Sequence, residues 1–366
     1  MSTISRASLP EGFYDYTDAK LLSQPEPKYI FARMFLNAHN IGLAQVSGFG
    51  LPFRDNSGNG QGYMDAERDR LSLDSAEGRL SAEMFAVRHQ FSGGAGHTVR
   101  FNRPKYAETT YTQGSRQVAT GSTISTTPIN VGSEQVSLTV GNYAGPYDQS
   151  NGRVAPFGVE KFDASMGVHD LYAMAGVHLV RDFHKWLDAV YVAILDDGTT
   201  TVRPQGISAD NDMTTADHPL TYEQISRANK TADEANLPTL GDGKRLMVVS
   251  PTGKKQLRDD PQFAAYAKEN MSTNPLFPGW FGSTDENHFV CSNTLSKTDN
   301  SSSIEIHSAK LIAPGALLGG IARAPYVADS TDDNFGLTKK VIWLAELAMG
   351  LADQRFSINV NHTEDA

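Results

Sequence analysis

The chain has 366 residues, of which 39% are hydrophobic, and its 32 Lys and Arg against 42 Asp and Glu give a net charge of −10. This length leaves room for two or more packed units, and the negative charge argues against general binding to a phosphate backbone. No apolar run of about eighteen residues is present, and the first residues lack the basic and apolar parts of a signal peptide, so neither a membrane span nor secretion is expected. The single cysteine, Cys291, excludes an intrachain disulfide and fits a reducing cytoplasm.

Residues 1–90 are predicted to form an N-terminal arm that packs on another surface. The first part, residues 1–60, is rich in aromatic residues but is broken by Pro, Gly and Asn. A short helix is predicted over residues 26–38. A second helix is predicted over residues 76–90, because Leu80, Met84 and Val87 fall on one face.

The next segment, residues 91–150, changes to period two. Val99 and Phe101 alternate with polar residues, and the apolar residues of 134–143 do the same, which predicts two strands. The residues between them are mostly Gly, Ser and Thr. A long two-stranded ribbon with so little apolar content is not stable alone. It must therefore lie on a neighbouring surface, in this chain or in another.

Residues 162–198 contain the most regular pattern of the chain. Apolar residues recur at steps of three and four, Asp163 or Ser165 can cap the start, and Gly198 can end the segment. This pattern predicts one long helix, roughly 45 Å long if it begins at Ser165. The core face of this helix is predicted to contain Leu179, Phe183, Trp186, Val190 and Ile194.

Residues 201–320 are predicted to form a mixed unit of helices and strands. Helical and strand-like patterns alternate along it, with Gly and Pro at the boundaries. In chain order the predicted elements are a helix that Thr221 caps and that ends near residue 238, a buried strand at 245–250, two helices divided at Pro261, and strands at 288–291 and 304–312.

The search for catalytic groups assigns no catalytic residue, no metal ligand and no cofactor site. His178, Asp182 and His184 lie close together in the sequence, but the step from 178 to 182 puts only two of them on one helix face. No third ligand is evident there, and the pattern favours a polar flank of the long helix. The glycine-lysine pairs within 241–244 and 253–255 lack the spacing of a phosphate loop and are interpreted as turns. Cys291 lies in an apolar strand, which favours an inert buried thiol. A structural protein is therefore predicted rather than an enzyme.

Three short segments are similar to segments of one protein family. GHTVRFNRP at residues 96–104 is similar to the entry of an extended loop, and residues 124–129 with 136–143 are similar to its return. NPLFPGWFG at residues 274–282 is similar to a turn of an axial domain. Together with the order of the predicted parts, over about residues 85–360, these segments resemble the major capsid proteins of tailed bacteriophages.

The resemblance implies an α+β fold with the division of a capsid subunit. It also implies strands in residues 337–360, where Ala and Leu content favours a helix but the apolar alternation suits strands. The implied parts are an N-terminal arm at 1–90, an extended β-ribbon loop at 91–150, a peripheral domain with a long spine helix at 151–200, an axial domain at 201–320, and a β-rich C-terminal return at 321–366.

The function implied by the resemblance is that of a shell subunit of a phage head. Such a subunit self-assembles into hexamers and pentamers around double-stranded DNA, which it contacts only non-specifically, and it needs no cofactor and no membrane. Scaffolding, portal and decoration proteins are the further partners implied, with assembly in the host cytoplasm and a final location in the virion. The alternatives are a bacterial encapsulating shell protein of the same fold and an α/β enzyme with an unrecognised site.

The ribbon is the one segment that is not net acidic, whereas residues 151–200 carry seven acidic and four basic residues. If the ribbon lay across the spine region of a neighbouring copy, these opposite charges would meet and would set the register of the contact. The predicted inter-subunit contact residues are Arg100, Arg103, Lys105 and Arg116.

Overall fold

The structure, a computed structural model, confirms the α+β class. It describes residues 29–47, 76–88, 98–105, 132–160, 171–213, 218–269, 279–329 and 338–364. The α-helices of these residues are α1 (Ile30–Ser47), α2 (Ala76–Met84), α3 (Leu171–Asp196), α4 (Tyr222–Glu234), α5 (Pro251–Asp259) and α6 (Pro261–Glu269).

The strands of the same residues fall into two larger sheets and two separate strand pairs. In chain order they are β1 (Phe85–Arg88), β2 (Thr98–Lys105), β3 (Gly132–Thr139), β4 (Gly141–Gly145), β5 (Tyr147–Asp148), β6 (Arg153–Val154), β7 (Phe157–Glu160), β8 (Thr200–Val202), β9 (Arg245–Val249), β10 (Trp280–Ser283), β11 (Asn287–Cys291), β12 (Lys297–Asp299), β13 (Glu305–Ile312), β14 (Leu317–Asp329), β15 (Thr338–Leu351) and β16 (Ser357–Thr363).

The first sheet has the strand order β1-β14-β15-β4, and β7 also pairs with β15. Its centre is the long antiparallel pair β14 and β15, whose register shifts twice between Ile321 and Tyr326. The second sheet has the order β10-β11-β9-β13-β16-β8, and β12 also pairs with β13. Strand β9 is buried on both faces: Leu246 and Val248 face the main core, while Met247 and Val249 face the helices α4 to α6. This two-sided burial explains the continuous apolar run that predicted the strand.

Helix α3, the predicted spine helix, spans 26 residues. Its predicted caps, Asp163 and Ser165, lie outside the described residues. The C-terminal end agrees with the prediction, because the Gly198 amide donates to the Leu195 carbonyl at 3.2 Å directly after the helix.

The buried face of α3 is rotated from the predicted one. Leu179 and Phe183 have no exposed surface, as expected for core residues. Trp186, Val190 and Ile194 are only half-buried, and of these Trp186 and Ile194 pack against the main core. The most buried hydrophobic positions of α3 follow one another in steps of four, and the helix packs on both α1 and β15. The fully buried hydrophobic residues of α3 beyond Phe183 are Leu187, Tyr191 and Leu195.

Helix α1 is a core element, although its residues were predicted to belong to an arm with only a short helix at 26–38. Phe31 and Phe35 have no exposed surface. The Phe35 ring lies 5.6 Å from the Tyr191 ring and 5.9 Å from the Phe85 ring. Gly319 of β14 makes room for this ring, because a Cβ there would overlap Phe35. The described part of the predicted arm therefore packs on its own chain.

Several local predictions require correction. Val87 lies in strand β1, parallel to β14, rather than in the second predicted helix, which ends at Met84. The single return strand predicted over 134–143 is two strands, because β3 pairs with β2 while β4 crosses to β15. Gly253 lies in the first turn of α5 rather than in a hairpin turn, and the Ser250 side chain accepts from its amide at 3.1 Å. Strand β14 was not predicted as a separate element, although most of it lies in the β-rich return implied at 321–366.

The C-terminal segment is strand, as the resemblance implied. Strand β15 alternates strongly, with Trp343, Ala345 and Leu347 buried and the residues between them half-buried. This tertiary burial overrides the helical propensity of its Ala and Leu residues. The helices at 222–269 also follow prediction: Thr221 caps α4, and α5 and α6 divide at Pro261.

Candidate assembly surface

The ribbon predicted as an extended loop begins as a regular strand pair. Strands β2 and β3 are antiparallel in continuous register from Thr98–Thr139 to Lys105–Gly132. Val99 and Phe101 are buried against Leu318 and Ala348 of the first sheet. The base of the ribbon therefore lies on its own chain, one of the two possibilities left open by the sequence, and the residues between the two strands lie outside the described residues.

The four predicted contact residues are placed only in part. Arg100 is exposed on β2, between the buried Val99 and Phe101. Arg103 and Lys105 belong to the same strand, but their side chains lie outside the described part of the structure, as does all of Arg116. Arg100 is thus on the face of β2 that points away from the first sheet.

Three of the acidic residues of the spine region are engaged inside the chain. Asp182 accepts a hydrogen bond from the Trp343 indole at 2.8 Å, and burial raises the pKa of Asp182. Asp188 binds the start of α1, and Asp196 forms an ion pair with Lys310. Asp188 is buried and cannot meet a neighbouring ribbon, whereas Asp182 and Asp196 keep some exposure but already have partners within the chain. Asp197, next to Asp196, is exposed.

Asp188 joins α3 to the N-terminus of α1. Its Oδ1 accepts from the Phe31 amide at 2.7 Å and the Ala32 amide at 3.2 Å, and its Oδ2 accepts from the Thr294 hydroxyl. These amides belong to the first turn of α1, where helix N–H groups have no partner in the helix. Burial raises the pKa of Asp188 to about 6, and the three hydrogen bonds oppose that rise. One buried carboxylate thus fixes the angle at which α1 meets the spine.

Lys310 performs a similar role at the C-terminal end of α3. Its ammonium is completely buried and contacts the Asp196 carboxylate, the Ser308 hydroxyl at 2.9 Å and the Asn359 side-chain oxygen at 2.9 Å. A cation at this end also interacts favourably with the helix dipole. Burial lowers the pKa of Lys310, and Asp196 opposes that change. The network ties the end of the spine to β13 and β16 of the second sheet.

A buried pair of histidines spans the same two strands. His307 and His362 are direct cross-strand partners, and their rings stack at 5.4 Å with an interplanar angle of 17°. Burial lowers the pKa of His362 to about 3, with a further contribution from His307. Burial also lowers the pKa of His307, which Lys297 lowers further and Glu305 raises. Both imidazoles are therefore neutral at neutral pH.

Because these two histidines are buried in the neutral form, we expect the stability of the second sheet to fall at acid pH. The folded pKa of His362 lies below its ordinary value of 6.5. Its contribution to stability is thus present above that value and is lost as the pH falls toward 3. We expect His362→Asn to flatten this part of the pH dependence of the free energy of unfolding, measured by denaturant titration between pH 7 and pH 4. An unchanged slope in the variant would contradict the assignment.

The candidate metal and phosphate positions serve other roles in the structure. His178 lies against the Phe157 ring at 6.1 Å, and His184 is buried beside Phe183. In the described part of the chain, no three His, Cys, Asp or Glu side chains are placed to hold a metal ion. Gly241 and Gly243 form a turn before β9. Cys291 is half-buried, and burial raises the pKa of its thiol, which agrees with an inert role.

Within the described residues, no helix is both long enough and apolar enough to cross a membrane. The contacts described above join the ribbon base, helix α1 and the spine helix α3 to the two sheets. Sequence reasoning missed the part played by α1. Its signal is the run Ile30–Leu36, which is apolar on nearly all sides, as expected for a buried helix.

No protein-family profile and no curated protein sequence matches this chain. Solved structures do match its fold. The capsid of Ralstonia phage GP4 matches with a TM-score of 0.54 and 13% sequence identity, over 78% of this chain and 90% of that chain. The Cyanophage Pam1 capsid has a TM-score of 0.56 and 12% identity, over 77% and 88%. The head structure of Helicobacter pylori bacteriophage KHP40 has a TM-score of 0.54 and 12% identity, over 76% and 87%.

The chain therefore has the fold of tailed-phage capsid proteins. The matches span most of this chain and nearly all of the phage capsid chains, so the likeness concerns the whole architecture and not one supersecondary unit. The fold implied by the sequence resemblance is thereby confirmed.

Proposed function

We propose that this chain is the major structural subunit of the head of a tailed bacteriophage. The observation that carries the proposal is the fold, which this chain shares over most of its length with phage capsid structures. In this role copies of the chain assemble into hexamers and pentamers that enclose double-stranded DNA. The role is structural and not catalytic. A bacterial nanocompartment shell protein is not favoured, because the reported matches are capsids or heads of phages.

The anatomy of the subunit supports this role. The base of the β-ribbon is anchored on the first sheet, so the ribbon has a fixed platform from which to reach a neighbour. We retain the proposed division into arm, extended loop, peripheral domain, axial domain and C-terminal return, with one change. Residues 29–39 and 76–88 are assigned to the core that contains the spine helix, because α1, α2 and β1 contribute buried residues to it.

The remaining partners follow from the same proposal. Scaffolding, portal and decoration proteins are the proposed additional partners, with assembly in the host cytoplasm before the subunit becomes part of the virion. Contact with packaged DNA is proposed to be non-specific. The net charge of −10 supports this, since a shell that gripped phosphates would need a basic lining.

Ribbon charge is expected to guide assembly. We predict that Arg116→Glu impairs shell formation and leaves the subunit folded, because the reversed charge would oppose the acidic groups of a neighbouring spine region. Exposed ion pairs are worth only about 0–1 kcal/mol each, but a shell repeats each contact many times. The measurement is sedimentation of the expressed variant for assembly, with circular dichroism for folding.

Lys230→Glu is the matched control for this charge reversal. Lys230 lies on α4 in the second-sheet unit, exposed and 3.6 Å from Glu234, far in sequence from the ribbon and the spine. It should assemble as the unaltered chain does. If the Arg116 variant gave closed shells in normal yield at both low and high salt, the ribbon charges would have no role in assembly.

A further inference from the structure

The base of the ribbon rests on the first sheet through a small apolar cluster of its own. Val99 and Phe101 of β2 are buried with Leu318 and Ala348, and this cluster shares no residue with the two larger ones. Among the described strands, β2 and β3 pair only with each other. A two-stranded pair is marginally stable alone in water. The position of the ribbon base therefore depends on how a few side chains fit the sheet beneath them.

The face of the first sheet under the ribbon base carries mostly small residues. Leu318 pairs with Gly350, and Gly320 pairs with Ala348, across the antiparallel strands β14 and β15. Cross-strand partners lie on one face of a sheet, and so do residues two apart on one strand. Three of these four residues are Gly or Ala, which leaves space above β15 for the side chains of β3, the ribbon strand that packs on it.

Leu138 of β3 fills the space above Gly350. A Cβ at position 350 would lie 2.4 Å from the Cδ2 of Leu138 and 3.5 Å from its Cγ. The first distance is shorter than non-bonded carbon atoms approach, so a larger residue at 350 would displace Leu138. Leu138 is the cross-strand partner of Val99 and therefore belongs to the face of the ribbon that meets the sheet.

The backbone gives no reason for a glycine at position 350. Gly350 lacks a positive φ, and its pairing with Leu318 lies in a regular part of the register. Any L residue can adopt this extended conformation, and a glycine inside a strand weakens the strand. The close approach of Leu138 is the feature of the structure that requires a glycine here.

The same contact marks the point at which β3 leaves the edge of the sheet. Strand β4 pairs with β15 as far as Gly141 and Leu347. If this antiparallel register continued from 141 to 138 and from 347 to 350, Leu138 would lie opposite Gly350. Strand β3 pairs with β2 instead, and the Leu138 side chain covers Gly350. The ribbon base is thus held at two places, by the strand pairing at Gly141 and by Leu138 on Gly350.

We infer that Leu138 and Gly350 set the direction in which the ribbon leaves the subunit, and that they are positioning residues for the contact between copies. Two points of attachment define a line. The pairing at Gly141 alone would let the ribbon base swing about Val140, the single residue between β3 and β4. The consequence for assembly rests on the proposed shell function, whereas the geometry within one subunit does not.

Spin-label distances test the direction of the ribbon base in the unassembled subunit. The labels are attached in a chain with Cys291→Ser, at Arg100→Cys on the exposed face of β2 and at Lys230→Cys on the exposed face of α4. Electron paramagnetic resonance then gives the distribution of distances between the ribbon base and the second-sheet unit. The unaltered positions 138 and 350 should give one narrow distribution.

Variants that exchange the sizes of the two residues give the expected changes. Gly350→Val should shift the mean distance, and Leu138→Ala should broaden the distribution, because it removes the second attachment. Together they move the bulk from the ribbon to the sheet and should restore a narrow distribution near the original mean. Met349→Val is the control, since Met349 packs against the main core and not against the ribbon. Distributions that stay unchanged in both single variants would overturn the inference.

Shell yield, measured by sedimentation with circular dichroism for folding, is the second readout. Gly350→Val should lower the yield several-fold and the double variant should restore it, whereas a normal yield despite a shifted distance would overturn the positioning role. If Gly350→Val does not fold, Leu138→Ala, which only removes atoms, must broaden the distance distribution and lower the yield. If the distances respond but the unaltered chain forms no shells, the proposed function fails and the subunit geometry stands. If shells form and the distances do not respond, the inference fails and the function stands.

Discussion

Phe183→Ala is expected to lower the free energy of unfolding of the unassembled subunit by about 3–5 kcal/mol, the usual cost of removing a large aromatic from a core. The Phe183 ring has no exposed surface. It meets the Trp343 ring edge-on at 5.1 Å and thereby joins the spine helix to the first sheet. Removal of this ring leaves a cavity between α3 and β15, which both contribute residues to the main core. Denaturant titration of the purified subunit measures the effect.

Trp186→Ala is the matched comparison. Trp186 lies on the same helix, and its ring centre is 5.2 Å from that of Trp343 and 4.8 Å from that of Tyr143. It is only half-buried. The sequence pattern predicts that Trp186 is a central core residue, whose replacement by Ala would lower the free energy of unfolding by the full amount expected for a core cavity. The structure predicts a smaller loss than for Phe183. If Trp186→Ala cost as much as Phe183→Ala, the assignment of the buried face would be wrong.

Asp188→Ala is expected to be strongly destabilising as well. It leaves the Phe31 and Ala32 amides and the Thr294 hydroxyl without their carboxylate partner in the protein interior. At about 1–3 kcal/mol for each buried group left unsatisfied, a loss of roughly 2–4 kcal/mol follows, since neighbouring groups relax in part. The first turn of α1 should also lose protection from hydrogen exchange, which distinguishes this local effect from general unfolding.

Asp188→Asn separates the charge of this group from its hydrogen bonds. The side-chain oxygen of Asn can still accept from the α1 amides, so the variant should be more stable than Asp188→Ala. The folded pKa of Asp188, about 6, lies above its ordinary value of 3.8. Its contribution to stability is therefore full below 3.8 and is lost as the pH rises through 6. The Asn variant should lack this dependence. If it kept the same pH profile as the unaltered chain, another group would be responsible.

The parts of the fold that were predictable are those with a strong local signal. The steps of three and four along α3 identify the spine, and the alternation of Val99 and Phe101 identifies the ribbon, because each pattern records a single buried face. The predicted buried face of α3 was partly wrong. Apolar residues such as Val190 lie on both sides of the line of fully buried residues, so the apolar pattern alone does not show which residues contact α1 and β15.

The parts that were not predictable depend on pairs far apart in the chain. Asp188 and Phe31 are separated by 157 positions, and Lys310 and Asp196 by 114, so no local pattern announces either contact. Strand β15 has residues that suit a helix locally, and its pairing with β14, β4 and β7 makes it a strand, which the sequence indicated only through the family resemblance. Of the predicted contact residues, only the side chain of Arg100 falls within the described residues.

The most direct test of the proposed function is a particle measurement on the expressed chain. Sedimentation followed by electron cryomicroscopy of the fast fraction should reveal closed shells of icosahedral symmetry, with this subunit repeated in hexamers and pentamers. Each subunit in the reconstruction should pack α3 against both α1 and the first sheet. A chain that remained a folded 39.8 kDa monomer under every assembly condition would contradict the proposal.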